Sequence, residues 1–304
     1  TLGWGVNFQF GYDGYYAGKG AKLLFRAVRN IEALDETRKI FTLPHTGQIK
    51  CYNDEGKIIP APKKGQRFYG QDGSLFSGVM SFTKLRDEAK EAEDKLTWEK
   101  GLRMVRDNNT GLIWEVKSPN PADFNYKGNK CTWENAIEHV ALLNKRGFGG
   151  FTDWRLPHHE ELRTIADYNG QIPAVNLKYF PDTLPAFYWA ADVFVRDPKF
   201  IWGVYFAYGC TICFLKNSLY YVRAVRGGFN PKFGDPMSYA LKDNGNGTIS
   251  DTNTNLMWIK EEAPELNWED AMKYCQDLNF AGYKDWRLPN LREIATLIDL
   301  SFKD

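Results

Sequence analysis

The chain has 304 residues, enough for two domains or one large one, and its apolar share of 43% is ordinary for globular folding, which excludes general disorder. Its 39 Lys and Arg balance 38 Asp and Glu, so no chain-wide field favours nucleic acid or an anionic membrane, and partners must be recognised locally. Aromatics reach 15%, with ten Trp and sixteen Tyr, a balance that suits folds of short strands and sugar-stacking surfaces, although a core position is the default for any single ring.

The first residues, TLGWGVNFQF, lack the charged start and apolar core of a signal peptide, so an export signal is expected outside this chain, and no run approaches the 18 apolar residues of a membrane span. From Gly3 to Asn30, Val, Phe, Tyr and Trp alternate with Gly, which predicts short antiparallel strands joined by tight turns. The stretch from Ile31 to Lys100 opens with a Gly-, Pro- and Lys-dense segment expected to be irregular or two-stranded. It closes on LRDEAKEAEDKLTWEK, expected as a solvated helix or mobile loop. Thr132 is a good N-cap for a helix with Glu134 in its first turn and Ala136, Val140 and Leu143 at helical spacing, ending near Gly147. DWRLP then runs extended, because a residue before Pro avoids the helical region, and Pro157 starts a second helix, HHEELRTIAD. Residues 201–226 read again as short strands.

DNGNGT, Asp243 to Thr248, suits a two-residue hairpin turn, whereas a calcium-loop alignment puts Lys242 at the first ligand position and no Glu at the twelfth. Asn267 caps a further helix, with Glu269 and Asp270 in its first turn.

An internal repeat organises these elements. VRDNNTGLIWEV (105–116), CTWENAIEHVALLN (131–144) and GFTDWRLPHHEELRTIAD (150–167) recur in the same order and register as ISDTNTNLMWIK (249–260), LNWEDAMKYCQDLN (266–279) and GYKDWRLPNLREIATLID (282–299). The first copy ends in YYVRAVRG, Tyr220 to Gly227, and that ending has its near copy at the start of the chain, in LLFRAVRN, Leu23 to Asn30. Trp4 then aligns with Trp202, and Arg26 and Arg29 with Arg223 and Arg226, while the counterpart of roughly residues 173 to 198 has no second copy. The expected segments are 1–32, closing strands of a domain; 33–100, a connecting module; 101–230, a complete domain; and 234–304, the opening half of another.

Cys51, Cys131, Cys210, Cys213 and Cys275 are odd in number, so at least one is free or pairs outside the chain. Cys210 and Cys213 form a CxxC in a strand-like context with no second CxxC or clustered His, a poor match to a zinc or thioredoxin site, and we expect no metal and no cofactor. Asp153, Trp154 and Arg155, and Asp285, Trp286 and Arg287, read as structural: the Trp fills the core while Arg and Asp satisfy backbone or each other. Trp114, Trp133, Trp258 and Trp268 join them as structural rings. His158 and His159 sit at a helix start, where capping is the default. On an ideal strand Arg223 and Arg226 cannot share a face, so one is expected to pair with an interior carboxylate and the other to reach ligand. Arg223 is assigned to the ligand, and Arg226, with Arg26, to structure. No GxSxG, P-loop, HExxH or dinucleotide fingerprint is present.

DxxTGLxW, a TW-headed helix, DWRLPxxxEL, a YW pair and a terminal YVRAVRGG together resemble the Lcl C-terminal domain family, a module of bacterial secreted and surface proteins. The resemblance covers a full domain at 103–228, a first half at 238–304 and a last part at 2–30. It implies an α+β, C-type-lectin-like fold in tandem, two helices packed on a twisted antiparallel sheet, whose N-terminal and C-terminal strands pair. It also implies an extracellular or cell-surface location and, in some members, binding of sulfated or other polysaccharides. Asn255 stands where the family has Gly, but Asn tolerates the left-handed region next best, so the turn should survive.

We therefore expect a non-enzymatic bacterial surface protein with a structural or adhesive role, taking a polysaccharide or surface glycan on Tyr188, Trp202, Lys216, Tyr220 and Arg223. The alternative is an extracellular filament or oligomer in which residues 1–30 of one chain complete residues 238–304 of the next. Closure within one chain would give a permuted two-domain monomer, and a window cut from a longer tandem polypeptide would also produce this order. Neither nucleic acid nor a membrane span is expected.

Overall fold

The computed structural model describes residues 2–7, 12–31, 43, 45–75, 80–91, 97–227 and 241–298; parts of the expected segments at 1, 8–11, 32–42, 44, 76–79, 92–96, 228–240 and 299–304 lie outside them. In chain order, β1 (Leu2–Asn7) and β2 (Tyr12–Gly18) form a hairpin followed by β3 (Val28–Asn30). The short pair β4 (Cys51–Tyr52) and β5 (Ile58–Ile59) precedes one helical turn, α1 (Asp72–Leu75). Next come β6 (Phe82–Leu85), β7 (Met104–Asp107), β8 (Ile113–Glu115), α2 (Trp133–Lys145) and α3 (His159–Thr164). The strands β9 (Phe187–Val193), β10 (Phe200–Tyr205), β11 (Cys210–Leu215) and β12 (Val225–Arg226) follow. The chain closes with β13 (Leu241–Asp243), β14 (Thr248–Asp251), β15 (Leu256–Ile259), α4 (Trp268–Asp277) and α5 (Leu291–Ala295).

These elements fall into two units, residues 1–78 with 235–298, and residues 79–234 with 299–304. Both mix small antiparallel sheets with a few helices. In the second unit the sheets run β12-β8-β7-β6 and β11-β10-β9, so that a late strand, β12, pairs with an early one, β8. The expected domain start at 101 leaves out β6, which pairs with β7 from Phe82↔Asp107 to Leu85↔Met104. Helix α2 forms where the sequence predicts it: the Thr132 side chain accepts from Asn135 N at 3.3 Å, and Ala136, Val140 and Leu143 turn inward together. They meet Trp154, Trp189 and Met104, while Trp114, Leu162, Ile165 and Phe180 fill the neighbouring cluster.

The first unit repeats this plan from two distant stretches. Its sheet runs β13-β14-β15-β3, with Trp258↔Val28, Met257↔Arg29 and Leu256↔Asn30 as partners. Val28 and Arg287 exchange backbone hydrogen bonds of 2.9 Å each, as Val225 and Arg155 do at 3.0 and 2.9 Å in the second unit. The closing string of residues 23–30 thus meets the opening half of its domain within the same chain, and Ala27, Met257, Cys275 and Trp286 pack between them.

One local expectation changes and one holds. The DNGNGT turn is longer than two residues: Asp243 pairs with Ile249, and Asn244 Nδ2 reaches Thr248 Oγ1 at 2.8 Å and Ser250 Oγ at 2.9 Å, so the side-chain bonds widen the loop. Asn255 keeps the left-handed backbone of its counterpart Gly111, with φ of 56° against 76°.

Candidate functional site

The second unit carries all five residues expected to meet a ligand, and three of them are interior. Arg223 is wholly buried. Its guanidinium donates to Asp182 Oδ2 at 2.7 Å, Thr183 Oγ1 at 2.9 Å and the Glu115 carbonyl at 2.5 Å. Tyr188 is 2% exposed and its hydroxyl accepts from Leu184 N at 2.9 Å. Trp202 is 1% exposed, stacked on His159 with centroids 5.6 Å apart. The assignment of Arg223 to ligand is thereby corrected: Arg223 is the interior arginine, because an unpaired guanidinium there would be prohibitive and Asp182 supplies its partner. Arg226 lies at the edge, bound to Asp153 at 2.7 Å over the Phe151 ring at 3.6 Å.

Arg223 belongs to a buried polar network that the sequence did not disclose. Glu115 accepts from Ala224 N at 3.0 Å and lies 3.0 Å from both Lys117 Nζ and His139 Nε2, while Asp182 also accepts from Lys117 N at 2.9 Å. Burial alone would push the Glu115 carboxyl up, but Lys117 and His139 outweigh it and hold it at about 2; burial dominates for Lys117 and lowers its ammonium. WEVK shows only charges alternating with apolar residues, and Asp182 is 41 positions from Arg223. In the first unit Ile259 stands at the position of Glu115 and Tyr274 at that of His139, so the network is peculiar to the complete copy.

A second cluster joins α3 to β9. Asp192 accepts from His158 Nδ1 at 2.7 Å and from His159 N at 2.6 Å, with His159 Nδ1 at 3.1 Å; His159 Nε2 is 3.2 Å from Glu160, which holds Arg163 at 2.9 Å. Burial opposes charge on His159, yet Asp192 and Glu160 raise it to about 10. The two histidines therefore act as more than helix caps: they tie the helix start to the strand.

The structural residues hold both copies in one pattern. Trp114 and Trp258 are fully buried, and the indoles of Trp154 and Trp286 donate to the carbonyls of Phe148 and Phe280 at 2.9 and 3.2 Å. Trp133 Nε1 donates to the Ala190 carbonyl at 3.0 Å, and Lys19 Nζ sits 3.8 Å over the Trp268 ring. Arg155 and Asp153 do not bind each other. Arg155 grips Glu161 with two bonds of 2.6 Å, as Arg287 grips Glu293 at 2.7 Å twice, and Asp285 takes Arg29 at 2.8 Å as Asp153 takes Arg226. Each Glu also closes a capping box, around His158 and Asn290. Arg26, aligned with Arg223, instead stays near the surface, bonded to the Ile259 and Lys260 carbonyls and 3.5 Å from Glu262.

All five cysteines are free thiols, and burial raises those of Cys131 and Cys275 to about 11 and about 12. Among the described residues no cluster of three or more His, Cys, Asp or Glu could hold a metal ion, and no helix is long and apolar enough to cross a membrane.

Two expected ligand residues reach solvent. Lys216 is about half exposed, 3.3 Å from Glu134, and Tyr220 shows one edge while its ring packs on Phe187 and Phe214 with centroids 4.8 Å away. Beside them lie exposed Leu215 and Leu219, and Lys130, 5.6 Å over the Tyr221 ring. This rim can present cations and aromatic edges to a flat or anionic ligand.

Small antiparallel sheets with a few helices, stitched by Trp and by Arg–carboxylate bonds, make this a mixed α/β protein whose sequence motifs occur twice. The chain belongs to the Lcl C-terminal domain family, whose pattern it matches at residues 103–226 and 247–304. Residues 2–30 lie outside the matched ranges. No curated protein matches the chain.

Proposed function

We propose that this is a non-enzymatic bacterial surface protein whose C-type-lectin-like domains serve adhesion, with the complete domain binding an anionic polysaccharide at the Lys130–Lys216–Tyr220 rim. The carrying observation is that rim: Lys130 and Lys216 are exposed near the half-buried Tyr220 and Tyr221, within a family that supports a surface role. The interior charges are paired with one another, which suits a scaffold rather than a reaction centre. A heparin column and a sulfated-glycan array test the reading. Retention at low salt, lost when Lys130 and Lys216 are both changed to Glu, is expected; wild-type protein that elutes in the flow-through overturns it.

Assembly by exchange between chains is the second reading. Pairing of β3 with β15 in one chain favours closure over exchange. Light scattering should give the mass of one chain at every concentration, and fibres under the electron microscope would instead establish exchange.

A further inference from the structure

Helices α2 and α4 are counterparts, yet one is covered and the other bare. Both start from a side-chain N-cap, Thr132 and Asn267, and both continue with Trp-Glu; the stripe at the second, fifth and ninth positions after the cap then reads Glu134, Ile137 and Ala141 in α2 against Glu269, Met272 and Gln276 in α4. Such a spacing lies along one helix face.

In the first unit a turn of residues 65–70 covers that face. Arg67 pairs with Glu269, with one bond of 2.7 Å, and Phe68 stacks on Trp268 with centroids 6.2 Å apart and 24° between planes. Gln276 Nε2 donates to the Tyr69 carbonyl at 3.1 Å, and Gln276 Oε1 accepts from Gly65 N at 3.3 Å. Gly70, at φ +103°, brings its backbone against Met272, whose side chain lies 3.7 Å from where a Cβ would stand. Met272 is 2% exposed as a result.

In the second unit the same stripe is open. Ile137 is 45% exposed, Ala141 is exposed, and the Glu134 side chain is half exposed beside Lys216. The recognition groups nevertheless persist: an indole, a carboxylate one residue later and an apolar side chain a turn beyond.

We propose that this face of α2 is a docking site for a polypeptide segment of the kind that covers α4, an Arg-aromatic-x-Gly turn presented by another chain. Arg would take Glu134, the aromatic ring would take Trp133, and the Gly would let backbone lie against Ile137. The resident turn of this chain is already engaged on α4, so the occupant is a second polypeptide carrying a free copy. The site borders the rim proposed for polysaccharide, because Glu134 lies 3.3 Å from Lys216, but it uses neither Lys130 nor Tyr220.

The test is fluorescence anisotropy of a labelled peptide, KKGQRFYGQDGS, equivalent to residues 63–74, titrated with the full chain. Saturable binding is expected, weakened about tenfold or more by Ile137→Lys and by Glu134→Arg. A peptide with Glu in place of Arg67 should recover most of the loss in E134R, a charge swap that a merely misfolded variant would not show. Glu269→Arg should leave binding unchanged. Three results overturn the proposal: no saturation with wild-type chain, loss in E269R with binding intact in E134R, which would place the peptide on α4, or self-association of the wild type abolished by Ile137→Lys, which would make the face an interface between copies.

Discussion

At Arg223 the choice between one missing partner and two has opposite consequences for stability. Arg223→Met would strand Asp182 inside the domain, at a cost of about 3–5 kcal/mol, whereas Arg223→Met combined with Asp182→Leu removes both buried charges and should lose clearly less. Urea unfolding of the two variants checks this order. Asp192 gives the corresponding dependence on pH. Burial pushes its carboxyl up, but His159 and His158 pull it well below the usual carboxylate range, so its stabilisation is present above ~4 and is lost as pH falls. His159 is raised to about 10, so its share is complete below ~6.5, its unfolded value, and disappears as pH rises towards 10. The second unit should therefore gain most from this cluster between ~4 and ~6.5. Asp192→Asn should lower its urea midpoint within that window and narrow the difference between the window and its flanks; an Asn variant that tracks the wild type at every pH would refute the assignment.

Among the elements, the turns joining β7 to β8 and β14 to β15 offer a paired comparison. Gly111 has open space where a Cβ would go, so Gly111→Ala should cost about 1–2 kcal/mol through its left-handed backbone alone, while Asn255→Gly should raise stability slightly. Thermal melting of each variant measures both. The helices were legible in the sequence because Thr132 and Asn267 mark their starts and Ala136, Val140 and Leu143 mark an inner face, all within one short window. The extended DWRLP link was legible for the same local reason. Arg223 was legible only in part: alternation puts it and Arg226 on opposite sides, as found, but does not say which of the two is interior. Nor could spacing reveal that Asp182 and Asp192 reach back from other segments to Arg223 and the histidine pair. Local signals determine caps and periodicity, whereas a buried charge is explained by partners that only the tertiary fold brings close.

For the whole molecule, the divided first unit makes a kinetic prediction. Its closing contacts join Leu23 to Leu266 and Val28 to Trp258 and Arg287, more than two hundred positions apart, so a long loop must close before they stabilise anything. Moving residues 1–30 behind residue 304, through a flexible linker of about 26 residues replacing the unmatched piece, brings the same partners within far shorter loops. The paired strands and the Arg29–Asp285 and Arg287–Glu293 bonds would be retained. Because loop entropy grows only logarithmically, at about 0.6 kcal/mol per doubling of length, equilibrium stability should rise by no more than about 1–2 kcal/mol. The refolding rate should respond more strongly if β3 docks on β15 in the transition state, since the whole entropic gain then lowers the barrier. Stopped-flow Trp fluorescence separates the cases: faster refolding with an unchanged unfolding rate places β3 docking at the barrier, slower unfolding alone places it afterwards, and loss of the folded first unit would show that residues 1–30 do not act as the closing segment of this domain.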